Sequence, residues 1–180
     1  MSHAGRLLVA TPLIGDPNFE RTVILLLAHG DAGAFGVVLN RPSGTDVAEI
    51  IPEWADAAAE PKLMFIGGPV GANAVIGLGR LKADQELSSW QPLIHGIGTV
   101  DLNAPDDAIA CPEVRLFAGS AGWASGQLED ELAEGAWWLV DVALEDVFTV
   151  EPLALWPRVL RRQGGSLAWF ANHPGDPSVN

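Results

Sequence analysis

Residues 22–42 read TVILLLAHGDAGAFGVVLNRP, and the arrangement of this stretch decides the fold. Residues 23–28 carry no polar side chain and are rich in Val, Ile and Leu, the pattern of a strand buried on both faces. HGDAG supplies turn residues, and FGVVLN (35–40) reads as the return strand, so the spacing predicts a hairpin over 22–40. Asn40-Arg41-Pro42 closes it, because Pro42 has no N–H to give a continuing ladder.

Immediately upstream lies GDPNFER (15–21), a polar segment running straight into the apolar strand. Asp16 and Asn18 are turn formers, with Pro17 fixing the backbone between them. Phe19 is placed to plug the end of the core, and Arg21 brings a five-donor fork to the mouth of the hairpin. The first reading of this segment is a structural collar. The second is the rim of a binding pocket in which Asp16, Asn18, Arg21, Asn40 and Arg41 converge. Two arginines there would favour a small anionic ligand or a partner carboxylate.

Working outward, RLLVA (6–10) reads as a short strand stopped by Thr11-Pro12. Asp46 is positioned to cap a short helix over VAEII, ended by Pro52, and residues 53–62 read as a helical turn and surface loop. LMFIGGPV (63–70) and NAVIGLGR (73–80) look like two strands around a Gly-Pro turn. Residues 82–95 are irregular, GTVDL (98–102) is a strand, and NAPDDAIACPE (103–113) is a loop. VRLFAG (114–119) is a strand followed by a glycine-rich link. SGQLEDELAEG is then a helix, capped by Ser125 and ended by Gly135. AWWLVDV (136–142) returns as a strand, whose Trp137 and Trp138 must face opposite ways, so one of the two is expected at a surface or interface. Residues 153–163 form a last helix, and the tail NHPGDPSVN is extended. Hairpin-linked strands with a few helices give an α+β fold with a mostly antiparallel sheet, in one domain over 1–180.

The formal net charge of −13 opposes phosphate backbones and so argues against DNA or RNA as a partner. The single cysteine, Cys111, permits no internal disulfide. No apolar run reaches bilayer length, and the opening residues lack a signal-peptide layout, so the expected compartment is the cytoplasm, with no membrane partner.

Several stretches together resemble the YqgE/AlgH family of bacterial proteins: GRLLVATPLIGDPNFERTVILLLAH (5–29), GAFGVVLNRP (33–42), FIGGPV (65–70), RLFAGSAGWASGQLEDELAEGAWWLV (115–140), LWPRVLRRQGG (155–165) and DPSVN (176–180). The resemblance implies a compact cytosolic protein whose sheet is strongly bent into a partly closed, barrel-like core with helices packed outside. It implies no enzymatic activity. The family's label as a transcriptional regulator comes from one branch and brings no recognisable DNA-reading element. At the Ser120 position the family usually has an aromatic residue, commonly Tyr.

Ser120 nonetheless has a catalytic reading beside the structural one. Ala118-Gly119-Ser120-Ala121-Gly122 falls between a predicted strand and a predicted helix, the setting of a nucleophile elbow. A triad order follows it, through Asp141 or Asp146 to His173, and His95-Gly96-Ile97-Gly98 can be drawn as an oxyanion loop. The simpler reading is close packing of small residues, and the resemblance favours it. GGPVGANAVIGLG lacks both phosphate-loop patterns and reads as a hairpin turn. His3, His29, His95 and His173 show no metal-ligand spacing, so no metal and no cofactor is expected. Cys111 has no neighbouring base to activate it, which leaves redox sensing as a minor reading. Glu129 on the 125–134 helix is weighed as a general acid or base against a solvated carboxylate favoured by the helix dipole, and the solvated reading is preferred. Arg158, Arg161 and Arg162 are expected to fold back onto the protein's own acidic surface.

The functional expectation is a binding or regulatory protein acting through protein or small-ligand contacts, as a monomer or weak homodimer. The alternatives are a serine hydrolase using Ser120 and, less favoured, a transcriptional regulator.

Overall fold

The computed structural model describes residues 1–82 and 90–172, so His173 and the tail lie outside the described residues. The decisive hairpin is present. Strand β2 (Val23–Gly30) turns at Asp31-Ala32 into β3 (Gly33–Val38), with Ile24 opposite Val38 and Leu25 opposite Val37. On its other side β2 pairs antiparallel with β1 (Arg6–Ala10), and β1 in turn pairs with β10 (Trp137–Asp141).

Alternation along these strands fills two cores at once. Leu7, Val9, Val23, Leu25 and Val37 face one side, where helix α5 (Leu155–Gln163) lays down Leu155, Trp156, Val159 and Leu160. Leu8, Ala10, Ile24, Leu26 and Val38 face the other, packing on Trp123, Trp137 and Leu128 of helix α3 (Gln127–Ala133). A stretch without polar residues is required because neither face meets water.

The spine of the molecule is β9 (Glu113–Ala124). It pairs antiparallel with β6 (Val70–Arg80) on one side. On the other side its first half lies parallel to β5 (Leu63–Ile66), and its second half lies antiparallel to β3. The strand order is β10-β1-β2-β3-β9-β6-β8-β7, with β7 at Gln91–Ile94 and β8 at Ile97–Val100, while β4 (Pro42–Asp46) joins through β5. The sheet curls into a half-barrel. Ile94, on the far edge strand, reaches Gly5 beside β1, where a methyl group on Gly5 would already touch the Ile94 side chain at 3.4 Å. A third cluster around Trp54, Met64, Val114 and Leu116 fills the β4–β5 end.

Several local readings need correction. The glycine-rich link after residue 119 is strand, because glycines let three neighbouring backbones crowd β9. At Gly119, φ is +77°, and a Cβ there would collide with the Gly68 carbonyl. β5 and β6 do not form a hairpin, since β9 lies between them. Pro42 opens β4, an edge position that needs no proline N–H. Residues 105–110 form a short helix, α2 (Pro105–Ala110), with proline at its first turn rather than a loop. Ser125 does not cap α3; its Oγ donates to the Asp31 carbonyl at 2.6 Å. Asp46 stands at the start of helix α1 (Val47–Ile50) without a side-chain cap bond. After α4 (Leu144–Val147), the final helix begins as a 3-10 turn at Pro152–Ala154, and a further helix, α6 (Gly165–Phe170), follows α5. Trp137 is buried, and Trp138 packs half-buried on Phe170 with ring centres 5.2 Å apart.

Candidate functional site

The loop over residues 14–22 folds back onto the chain just after β3. Asp16 Oδ1 accepts the Asn18 N–H at 2.9 Å, and the Asp16 carbonyl accepts the N–H groups of Phe19 and Glu20. Asn40 bridges the loop to the strand: its Oδ1 accepts the Val23 N–H at 3.0 Å and its Nδ2 donates to the Arg21 carbonyl at 2.9 Å. Arg41 donates to the carbonyls of Pro17 and Glu20 at 2.6 and 2.9 Å. Arg21 holds φ at +55° and lays its guanidinium over Trp156. Four of the five residues singled out, Asp16, Arg21, Asn40 and Arg41, thus tie this corner together with their own atoms. The Asn18 side chain is exposed.

The same loop walls a cavity of about 360 Å³. Ile14, Gly15, Asp16 and Phe19 form one side; Trp123 of β9, Trp137 of β10 and Gln127 and Glu131 of α3 form the other. Glu131 is the polar centre. Its Oε2 accepts both indole N–H groups, from Trp123 at 2.9 Å and from Trp137 at 2.8 Å, and its Oε1 accepts Gln127 Nε2 at 2.9 Å. The rings pack edge to face: Trp123 against Trp137, and Phe19 against Trp137, each with centres 6.0 Å apart. Of the five residues read from the sequence as a pocket rim, only Asp16 lines this cavity; Asn18, Arg21, Asn40 and Arg41 do not, and Glu131, Trp123 and Trp137 are not part of that reading. No local pattern singles out Glu131 among the four acids of residues 129–134; the indoles reach it only because β9, α3 and β10 fold together.

The other candidates resolve individually. Ser120 sits inside β9, 7% exposed and opposite Val70, rather than on an elbow. Asp141 pairs with Arg6 at 3.2 Å, and Asp146, fully buried, takes both Arg162 guanidinium nitrogens at 2.8 Å. Neither aspartate is left to orient an imidazole for Ser120. His95, with φ +51°, and Gly96 make the β7–β8 turn rather than an oxyanion loop. Of the arginine group on α5, Arg162 folds back onto a carboxylate, but onto the buried Asp146 rather than the acidic surface, and Arg161 donates to Asn172 Oδ1 at 3.4 Å.

Glu129 is engaged with His29. The His29 Nδ1 accepts the His3 N–H at 2.9 Å, which places the proton on Nε2, 2.5 Å from Glu129 Oε1. That bond holds the Glu129 carboxyl below the usual carboxylate range. Arg115 was not singled out in the sequence, yet it is 2% exposed. It donates to the carbonyls of Val147, Thr149 and Glu60 at 3.2, 2.7 and 2.7 Å and lies over Phe65. Burial pushes its pKa down to about 10, so it remains a cation at neutral pH. Cys111 is buried, with Sγ donating to the Glu113 carbonyl at 3.2 Å, and burial pushes its thiol up. Among the described residues no group of three or more His, Cys, Asp or Glu side chains is arranged to hold a metal ion. Among the same residues no helix is long and apolar enough to cross a membrane.

Comparison with known proteins agrees with this architecture. A family model described as AlgH-like matches residues 7–168. A UPF0301 protein of Streptomyces coelicolor is 50% identical over 186 residues, covering 99% of this chain and 96% of the relative. One from Thermobifida fusca is 44% identical over 191 residues, covering 100% and 96%. The crystal structure of a Corynebacterium diphtheriae protein superposes with a TM-score of 0.88 at 32% identity, over 93% of this chain and 91% of that one. The solution structure of AlgH from Pseudomonas aeruginosa gives 0.72 at 26% identity, over 98% and 96%. With a family match across most of its length and relatives near half identical, the chain belongs to the AlgH-like family, whose relatives include the UPF0301 proteins.

Proposed function

We propose that this protein works by binding rather than by catalysis, and that its ligand docks in the cavity between the 14–19 loop, β9, α3 and β10. The observation that carries the reading is the Glu131 carboxylate, fixed by two indole N–H groups inside an aromatic-lined cavity. Concave, largely apolar sites with one or two fixed polar groups are the usual form of a ligand pocket. The non-catalytic part is supported by Ser120 lying within a strand and by Asp141 and Asp146 being committed to arginines. The collar favours this pocket over an anion site at Arg21 and Arg41, because Arg41 gives its fork to loop carbonyls and Arg21 covers Trp156. A cytoplasmic setting and a regulatory role without direct DNA contact belong to the same proposal, supported by the free, buried thiol and the charge of −13.

The test is a small-molecule fragment screen read by NMR on the indole N–H resonances of the seven tryptophans, assigned through Trp123→Phe and Trp137→Phe. Hits should move the Trp123 and Trp137 resonances. Hits confined to other tryptophans would overturn the assignment of the site.

A further inference from the structure

Resting on the reading of that cavity as a binding site, we propose that the group it takes is an organic cation: an alkylammonium, methylated or not.

The argument begins with an imbalance of charge. Glu131 receives three hydrogen bonds, all from neutral donors: two indoles and a carboxamide. Neutral donors orient a carboxylate and lower the cost of sheltering it, but they leave the full negative charge in place. Among the described residues, the arginine ion pairs go to Asp141, Glu113 and Asp146, and none goes to Glu131. A second carboxylate, Asp16, lines the same cavity. Its Oδ1 is occupied by a neutral donor too, the Asn18 N–H.

The walls fit the same sign. Phe19, Trp123 and Trp137 line the cavity, and their edge-to-face contacts, with planes 80° and 76° apart, build a corner of rings rather than a stack. Aromatic faces carry negative quadrupole density and attract cations. Because both indoles donate their N–H to an anion, electron density shifts toward the rings and strengthens that attraction. A ring corner beside a carboxylate is the arrangement that recognises quaternary and alkylated ammonium groups.

Other ligand classes fit less well. An anion would face two carboxylates. A neutral apolar group would strip water from Glu131 and return nothing for it. A divalent metal needs several oxygen ligands in one shell, and no such cluster exists among the described residues. The volume of about 360 Å³ lies at the small end of ligand pockets, sized for an ammonium group and a short chain. The overall charge of −13 draws cations toward the surface. The ammonium can belong to a free amine or to a lysine side chain of a peptide, and the two are separable by experiment.

The experiment follows the Trp123 and Trp137 indole resonances while the intact protein is titrated with four probes. These are tetramethylammonium, n-butylammonium, N-acetyl-lysine-N-methylamide and the neutral isostere neopentyl alcohol. The cations should shift both resonances saturably, and the alcohol should not. Glu131→Gln keeps an acceptor for the indoles, and it should weaken cation binding by at least about tenfold, or roughly 1.4 kcal/mol. Its fold is checked by the five remaining indole resonances staying in place. If it misfolds, Asp16→Asn, on the exposed loop, reads out the same charge dependence with a smaller loss. Tighter binding of the lysine derivative than of butylammonium assigns the cation to a peptide; equal binding assigns it to a free amine. If neopentyl alcohol shifts the same resonances as strongly, or Glu131→Gln and Asp16→Asn bind cations unchanged, the cation proposal is overturned while the pocket stands. If no probe shifts them, both fall.

Discussion

The guanidinium carbon of Arg21 lies 4.1 Å from the centre of the Trp156 ring, and the Trp156 Nε1–H donates to the Ala10 carbonyl at 2.9 Å. One contact thus joins the 14–22 loop, the C-terminal helix α5 and the end of β1.

Arg21→Ala removes the cation from the ring and leaves a β-carbon at positive φ. It should cost about 1–2 kcal/mol. Arg21→Gly, which relaxes the backbone at φ +55°, should recover about 0.5–1 kcal/mol of that loss. Urea denaturation of the three proteins checks the order. Equal stability for Ala and Gly would show that the left-handed conformation is not held in the folded state.

Arg115 is a buried cation that touches carbonyls and a ring and, among the described residues, forms no ion pair with a carboxylate. Arg115→Lys keeps the charge, but a single ammonium cannot reach the Val147–Thr149 pair and Glu60 together. The lysine variant should lose about 2 kcal/mol and the alanine variant at least about 3 kcal/mol, because orphaned carbonyls are expensive when buried. Chemical denaturation measures both. A lysine variant as stable as the parent would show that the fork geometry is dispensable.

Glu129 gives a dependence on pH whose sign follows from its lowered pKa. The folded-state value lies below the unfolded one. Its contribution is therefore present above the ordinary carboxylate value of about 4.3 and is lost as pH falls through the folded value. The stability difference between the parent and Glu129→Gln should be full well above the ordinary carboxylate value and should close as pH falls through the lowered folded-state value. A difference that does not change with pH would remove the His29–Glu129 bond as its origin.

Cys111 should be inert in the native protein. Burial raises its pKa and its Sγ is committed to the Glu113 carbonyl. An aromatic disulfide reagent should label it at least about 100-fold more slowly in buffer than in denaturant. Labelling at the rate of a free thiol would reopen redox chemistry at this position.

The hairpin of β2 and β3 was legible because apolar runs and turn residues are local signals, and the strand at β1 was legible for the same reason. The spine was not. In Gly119-Ser120-Ala121-Gly122 the glycines read as a turn, whereas the stretch is strand and Gly119 serves close approach of the Gly68 carbonyl, a requirement that exists only once the neighbouring chain is in place. Arg115 was hidden because one arginine in a strand looks like a solvated residue. Its acceptors lie at 60, 147 and 149, far away in the chain. The candidate site was half legible. Of the rim read from the loop, Asp16, Asn18, Arg21, Asn40 and Arg41, only Asp16 lines the cavity, and the groups facing it come from residues 123–137, brought there by pairings that no local pattern records.

The pairing of β1 with β10 places Arg6 beside Asp141 and has a consequence for biosynthesis. A nascent chain can zip β2 onto β3 as soon as residue 38 clears the ribosomal exit tunnel, but β1 then waits for its outer neighbour. At ordinary elongation rates that wait is roughly 5–20 s. Throughout it the seam stays unsealed, with bare amide edges at the mercy of other chains. A net charge of −13 disfavours association between copies of such an open-edged chain.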